Sequence, residues 1–149
     1  MSTVEVASTL LEQVGKPPRR SRSIELTQER VTAFGELTED TQWIHTDPER
    51  AAALGGTLAH GMLIAALIPG LLDEVIEAPE CDRVINLGFD RLSFASPAPV
   101  GSAICLDAKM IDAQPGKGHV DVRCDVTVWL DAARPRVCAA GVLRLRFVV

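Results

Sequence analysis

The chain predicts an α+β domain in which a long antiparallel sheet wraps around one central apolar helix. Two observations carry that expectation. Almost every residue from Met62 to Leu72 is apolar, as in a helix hidden on all sides. After Val84 the apolar period changes from helical to alternating, and long alternating segments follow one another, the pattern of half-buried antiparallel strands. A length of 149 residues suits a single domain over 1–149, and 47% hydrophobic residues supply a core without disulfides or metal.

Taken in order, Thr3 to Val14 has apolar residues at helical spacing and stops at Gly15, a helix terminator. Lys16-Pro17-Pro18-Arg19-Arg20 reads as a stiff connector and Ser23-Ile24-Glu25-Leu26 as a short strand. Thr27 is placed to cap a helix through about Leu37, with Glu29 favourable in its first turn. Thr38 to Thr46 reads as a turn. Asp47-Pro48 then offers an N-cap with proline at the first helical position, for a short helix ended by Gly55-Gly56. The apolar helix is expected from near Ala59 to about Ile76. Val84 to Phe94 predicts a strand broken at Gly88. Ile104, Leu106, Ala108 and Met110 alternate with polar neighbours, as do Val120, Val122, Cys124, Val126 and Val128, and later Leu143, Leu145 and Phe147. Gln114-Pro115-Gly116-Lys117-Gly118 joins the first two of these segments as a hairpin.

Charge and cysteine usage exclude several classes. A formal net charge of -5 argues against a nucleic-acid or anionic-membrane partner, which would require a basic face. Cys81, Cys105, Cys124 and Cys138 are far apart and form no CxxC pair, so neither a zinc site nor a redox motif is expected. Reduced thiols imply a cytoplasmic protein. The first residues, MSTVEVASTLLEQVG, carry Glu5 and Glu12 and lack a basic start, so no signal peptide is expected. The run from Gly61 to Leu72 is too short to span a bilayer.

The chemistry is expected around two of the histidines. Asp40 and His45 are five positions apart in a turn, where a carboxylate and an imidazole can converge on one water. Such a pair can supply a base and an acid for addition or elimination. The same residues could instead serve as a turn cap and a solvated ring. Trp43, between them, reads as a packing residue. Ala59-His60-Gly61-Met62 opens the apolar helix, whose first amides lack intrahelical partners and carry the positive end of the dipole. Glycine at 61 lets a ligand approach, so that its N–H can hold a carbonyl oxygen as charge develops; alternatively, it is needed only for packing. His60 reads first as a structural hydrogen-bonder.

Asp40-x-Gln42-x-x-His45-x-Asp47, followed by Gly56-Thr57-Leu58-Ala59-His60-Gly61-Met62-Leu63, resembles the MaoC-like dehydratase family, and within it the branch that includes nodulation protein N. Ile85-Asn86-Leu87-Gly88-Phe89-Asp90-Arg91-Leu92 and Pro97-Ala98-Pro99-Val100-Gly101-Ser102 resemble later signatures of that branch, so the likeness runs through nearly the whole chain. The resemblance implies a hotdog fold and a homodimer with two sheets joined edge to edge. It also implies (R)-specific hydration of trans-2-enoyl-CoA, or the reverse dehydration of 3-hydroxyacyl-CoA, with no metal or organic cofactor. On the matching positions, Asp40 and His45 hold and activate the water, in roles left open between base and acid. The Gly61 amide polarises the thioester carbonyl, and Gln42 and His60 are grouped with it on the substrate side. Arg91 is the first candidate to hold the phosphates of the acyl-CoA.

Four departures keep the substrate open. Gln42 replaces asparagine, Glu39 stands where glycine is usual, Pro69 replaces a serine of some hydratases, and the stretch before Ala59-His60 is short. A dehydratase or lyase acting on a carrier-protein-bound or specialised-metabolite intermediate is the alternative. A thioesterase is disfavoured because Met62 to Leu72 contains no carboxylate. A non-catalytic acyl-binding module would have no need of the Asp40/His45 pair.

Overall fold

In the computed structural model, which describes residues 1–149, the chain opens with α1 (Thr3–Leu11). Ser2 caps it and Glu5 reaches back to the Ser2 N–H, satisfying two end donors reciprocally. The helix is shorter than the Thr3–Val14 expected, and the chain turns on to Gly15 at φ 80°. Arg19 and Arg20, expected in a connector, form the short strand β1 (Arg19–Arg20), followed by β2 (Ile24–Glu25).

Thr27 caps α2 (Gln28–Thr38) by accepting from the Arg30 N–H. The expected turn over Thr38–Thr46 contains a single helical turn, α3 (Trp43–Thr46). The Asp47 side chain caps α4 (Pro48–Ala51), and a 3₁₀ turn, Ala52–Leu54, closes on Gly55 and Gly56 at positive φ. The apolar helix α5 (Gly61–Leu72) begins with His60 as its N-cap. It ends before Ile76 because the chain passes into turns after Leu72, although Val75 and Ile76 stay buried.

Four long strands follow: β3 (Arg83–Phe94), β4 (Ala103–Gly116), β5 (His119–Asp131) and β6 (Arg136–Val148). All pair antiparallel in the order β1-β4-β5-β6-β3, with β2 also on β4. The expected hairpin joins β4 to β5. Gly88 shifts the register at φ 96° without ending β3, so the anticipated break is a bulge. The alternating faces of β4, β5 and β6 turn inward onto Leu63, Ile64, Ile68, Leu71 and Leu72 of α5, forming one continuous apolar core.

One expectation about α5 fails. Met62 is 62% exposed, and Ala66 and Gly70 are also exposed, four residues apart along one helix face. The sheet covers only one side of the helix, so its apolar composition leaves an uncovered stripe. The edge strand β3 likewise exposes Val84, Ile85 and Phe94. No helix is long and apolar enough to cross a membrane.

Candidate active site

The site is built where three connections meet: the end of α2, the turn into α3, and the entry to α5. At the end of α2 the chain reverses through Glu39, whose φ of 63° and ψ of 15° are left-handed, and this presents Asp40. Gln42 then starts α3. Its main-chain carbonyl accepts from the His45 N–H at 2.9 Å and from Thr46 Oγ1 at 3.2 Å, so the sequence Gln42–Thr46 winds one turn and carries His45 inward.

His45 is held from two sides. Its Nδ1 lies 2.6 Å from the Leu58 carbonyl. A carbonyl only accepts, so Nδ1 carries the hydrogen and Nε2 is left with its lone pair. Its main-chain carbonyl accepts from Gln28 Nε2 at 2.7 Å, while Thr57 Oγ1 donates to Gln28 Oε1 at 2.5 Å. His60 approaches from the α5 side. Its Nε2 donates to the Asp40 main-chain carbonyl at 2.9 Å, and its ring stacks on His45 with centroids 3.8 Å apart and planes inclined by 25°.

The result is a cluster in which Asp40, His45 and His60 each present a polar side-chain atom within 4.8 Å of the others. The two imidazoles are buried, and Asp40 lies at the exposed mouth. Such a triad could be read as metal ligands. The stacked rings oppose that, since nearly parallel imidazoles point their in-plane lone pairs side by side, whereas a metal needs ligands converging at ~2.0–2.1 Å. A water molecule, bonding at ~2.7–3.2 Å with no fixed polyhedron, suits the space between Asp40 and His45 better.

Asp40, His45 and His60, all identified from the sequence, therefore come together. Gly61 follows directly as the first residue of α5, where its N–H has no intrahelical acceptor. It also has a packing reason to be glycine: a Cβ there would sit 3.1 Å from ring carbons of Phe94. Phe94 and Gly61 share a cavity of about 280 Å³ with Ala59, Ile64 and Cys138. Gln42 sits at the N-cap of α3 without a side-chain capping bond, exposed at the same turn. Trp43 packs as expected, beneath the Arg50 guanidinium at 4.3 Å.

Arg91 is not drawn into the cluster. It is exposed on β3, three residues or ~10 Å along the strand from Phe94. The neighbouring Asp90 pairs with Arg123 at 2.9 Å and Arg144 at 3.1 Å, leaving Arg91 outside that ion-pair network. The sequence reading missed Gln28, Gly35 and Phe94. Gly35 alone carried a usable signal, a glycine in the middle of a helical segment; a Cβ there would lie 2.8 Å from the Asp40 carbonyl oxygen.

Comparison with known proteins fits this architecture. The model of the MaoC-like domain matches residues 10–130. The 3-hydroxyacyl-thioester dehydratase Z of Mycobacterium tuberculosis is 34% identical over 97% of this chain and 98% of its own length. Nodulation protein N of Rhizobium meliloti is 36% identical over 70% of this chain and 65% of its own. Among solved structures, an (R)-hydratase from A. caviae involved in PHA biosynthesis superposes with a TM-score of 0.71 at 25% identity, covering 87% of this chain and 95% of that one. The sheet wrapped around α5 is thus a hotdog fold. With the motif residues gathered at one site and the family model spanning most of the sequence, the chain belongs to the MaoC-like dehydratase family.

Proposed function

We propose that this enzyme hydrates trans-2-enoyl-CoA to the (R)-3-hydroxyacyl thioester, and catalyses the reverse dehydration, with Asp40 and His45 sharing the reacting water. The observation that carries the reading is the approach of the Asp40 carboxylate and the His45 imidazole within 4.8 Å, with Nδ1 of His45 committed to Leu58. In that tautomer, Nε2 and the carboxylate are both proton acceptors facing one small space. Water is polarised between them, its oxygen adds to C3, and one acceptor takes the proton it loses. A proton is then delivered to C2, so the elements of water are conserved across the double bond. The Gly61 N–H, at the positive end of α5, binds the thioester oxygen and stabilises the enolate that forms after attack at C3.

The names of the relatives support thioester chemistry: one is a 3-hydroxyacyl-thioester dehydratase and another an (R)-hydratase. Neither name specifies CoA or a carrier protein, so a carrier-protein-bound intermediate is the second reading. Two copies of the chain would join through β3, an unpaired edge strand exposing Val84, Ile85 and Phe94, which is a liability until it is covered.

Hydration of crotonyl-CoA, followed as loss of the enoyl absorbance and run beside longer chains and carrier-protein thioesters, tests the proposal. Asp40→Asn and His45→Ala should each lower kcat by roughly 10²–10⁴, the range for losing a positioned acid or base. The double variant should be scarcely worse than either one, because two groups serving one water fail as a unit. Asp40→Asn with near-wild-type hydration would refute the mechanism. Release of free thiol without hydration would make the enzyme a thioesterase.

A further inference from the structure

We infer that His60 is a positioning residue: one ring sets the separation and orientation of Asp40 and His45. The inference rests on the reading that those two groups share the reacting water.

One imidazole makes both contacts. Its Nε2–H donates to the main-chain carbonyl of Asp40 at 2.9 Å, fixing the turn from which the carboxylate projects. Its face lies against the His45 ring at 3.8 Å and 25°, fixing the plane in which Nε2 of His45 points. Phe34 closes the ring in, with centroids 5.1 Å apart and planes at 59°. Gln or Asn could supply the donor but not the face, and Phe the face but not the donor.

The far edge of the ring shows that stability is not what it serves. His60 Nδ1 is buried and has no hydrogen-bond partner. Because Nε2 carries the hydrogen, Nδ1 is a lone pair in dry surroundings, a destabilising arrangement that an apolar side chain would avoid. Nδ1 also has no access to solvent, so His60 does not touch the reacting water; it acts through Asp40 and His45, the two titratable groups against it.

Gly35 on α2 is an independent sign that this contact is protected. A Cβ there would lie 2.8 Å from the Asp40 carbonyl oxygen and 3.4 Å from His60 ring atoms. Alanine would favour the helix, yet glycine occupies the one place where a methyl would push the carbonyl away from Nε2.

The test measures kcat and KM for crotonyl-CoA in His60→Leu, His60→Phe, His60→Gln and Gly35→Ala, with folding checked by circular dichroism and thermal melting. His60→Leu should lose kcat roughly 10²-fold, as for a catalytic group displaced by about 1 Å, with KM within about twofold. His60→Phe and His60→Gln, each keeping one of the two contacts, should recover part of that loss. Placed on Asp40→Asn, His60→Leu should cost little more, since the group it positions is already gone. Gly35→Ala, whose Cβ must displace the Asp40 carbonyl, should fold at some cost in stability and lower kcat about tenfold. Full kcat in folded His60→Leu or in Gly35→Ala overturns the inference, as does a loss that adds fully to that of Asp40→Asn. Asp40→Asn and His45→Ala alone decide the underlying mechanism: if both keep full activity, that reading fails, whatever His60 does.

Discussion

Glu39 carries the one positive φ outside glycine in the chain, 63°. The left-handed region costs an L-residue ~1–2 kcal/mol because its Cβ crowds the backbone. Glu39→Gly should therefore relieve strain. The gain is partly cancelled by the greater freedom of glycine in the unfolded chain, about 0.5–1 kcal/mol. The net expectation is an unfolding free energy, read from the urea midpoint, that is unchanged or raised by up to ~1 kcal/mol, with activity retained. Glu39→Val should move it the other way by more than ~1 kcal/mol, since a β-branched side chain tolerates this region worst. A lower midpoint for Glu39→Gly would show that the glutamate side chain itself holds the turn. At this scale the spacing of Asp40 and His45 was legible, because both belong to one local segment. Gln28 was not, since it reaches His45 across 17 positions, and no local pattern records which side chain a distant turn will meet. Gly61 was read as a place for ligand approach, but its contact with Phe94 depends on how β3 ends against α5.

At the scale of elements, sequence pattern reports burial better than hydrogen bonding. Leu71, Leu72, Val75 and Ile76 are all buried, which made the apolar helix look longer than it is. Arg19 and Arg20 gave no strand signal because their pairing with β4 uses the backbone and leaves both side chains exposed. The uncovered stripe on α5 was hidden for the opposite reason: Met62, Ala66 and Gly70 look like core in composition, and only the position of the sheet shows that nothing in this chain lies over them. Stripe and edge strand together make a testable claim about assembly. Val84 and Ile85 are exposed near the start of β3, and lysine there should block edge-to-edge pairing. The wild type should scatter light as a dimer at micromolar concentration, and the Val84→Lys/Ile85→Lys variant as a monomer. A wild-type monomer would refute the pairing, and a variant that still dimerises would put the interface elsewhere.

Across the whole molecule, the outer face of the sheet is tied by paired charges. Arg20 grips Asp107 with two bonds of 2.7 and 2.8 Å, and Arg146 grips Asp121 at 2.6 and 2.7 Å. The hydrogen bonds from Arg20 and Arg146 hold the two carboxyls below the usual carboxylate range. A carboxyl depressed on folding adds stability above its unfolded value of ~3.9, and that stability is lost as pH falls through the folded value. Asp107→Asn and Asp121→Asn should therefore be less stable than the wild type at pH 7, and the gap should close well below pH ~4. The differences should be small, since both pairs are partly solvated; equal gaps at both pH values would assign the loss to packing. Burial pushes the Cys124 thiol up to about 12, so it stays protonated throughout this range. The sequence foretold a sheet around a helix, but not that β3 would pair with β6 while β4 lies on the far side. Alternation identifies a strand's faces and says nothing about its neighbours.

That strand order also governs the timing of birth on the ribosome. β4 and β5 are joined by a tight turn and can zip as soon as both emerge, whereas β3 has β6 as its sole neighbour. Between the emergence of Phe94 and that of Val148, at ~5–20 residues per second, the nascent chain spends on the order of 3–10 s with β3 unpartnered and one flank of α5 open. Those seconds are when a holdase would find apolar surface to grip and when neighbouring nascent chains could tangle. Chains halted before Arg136 should be cut rapidly by protease, while chains extended through Val148 should be protected. Quality control of this fold is thereby concentrated in the thirteen residues of β6, since a lesion there removes the strand that joins β3 to the rest of the sheet.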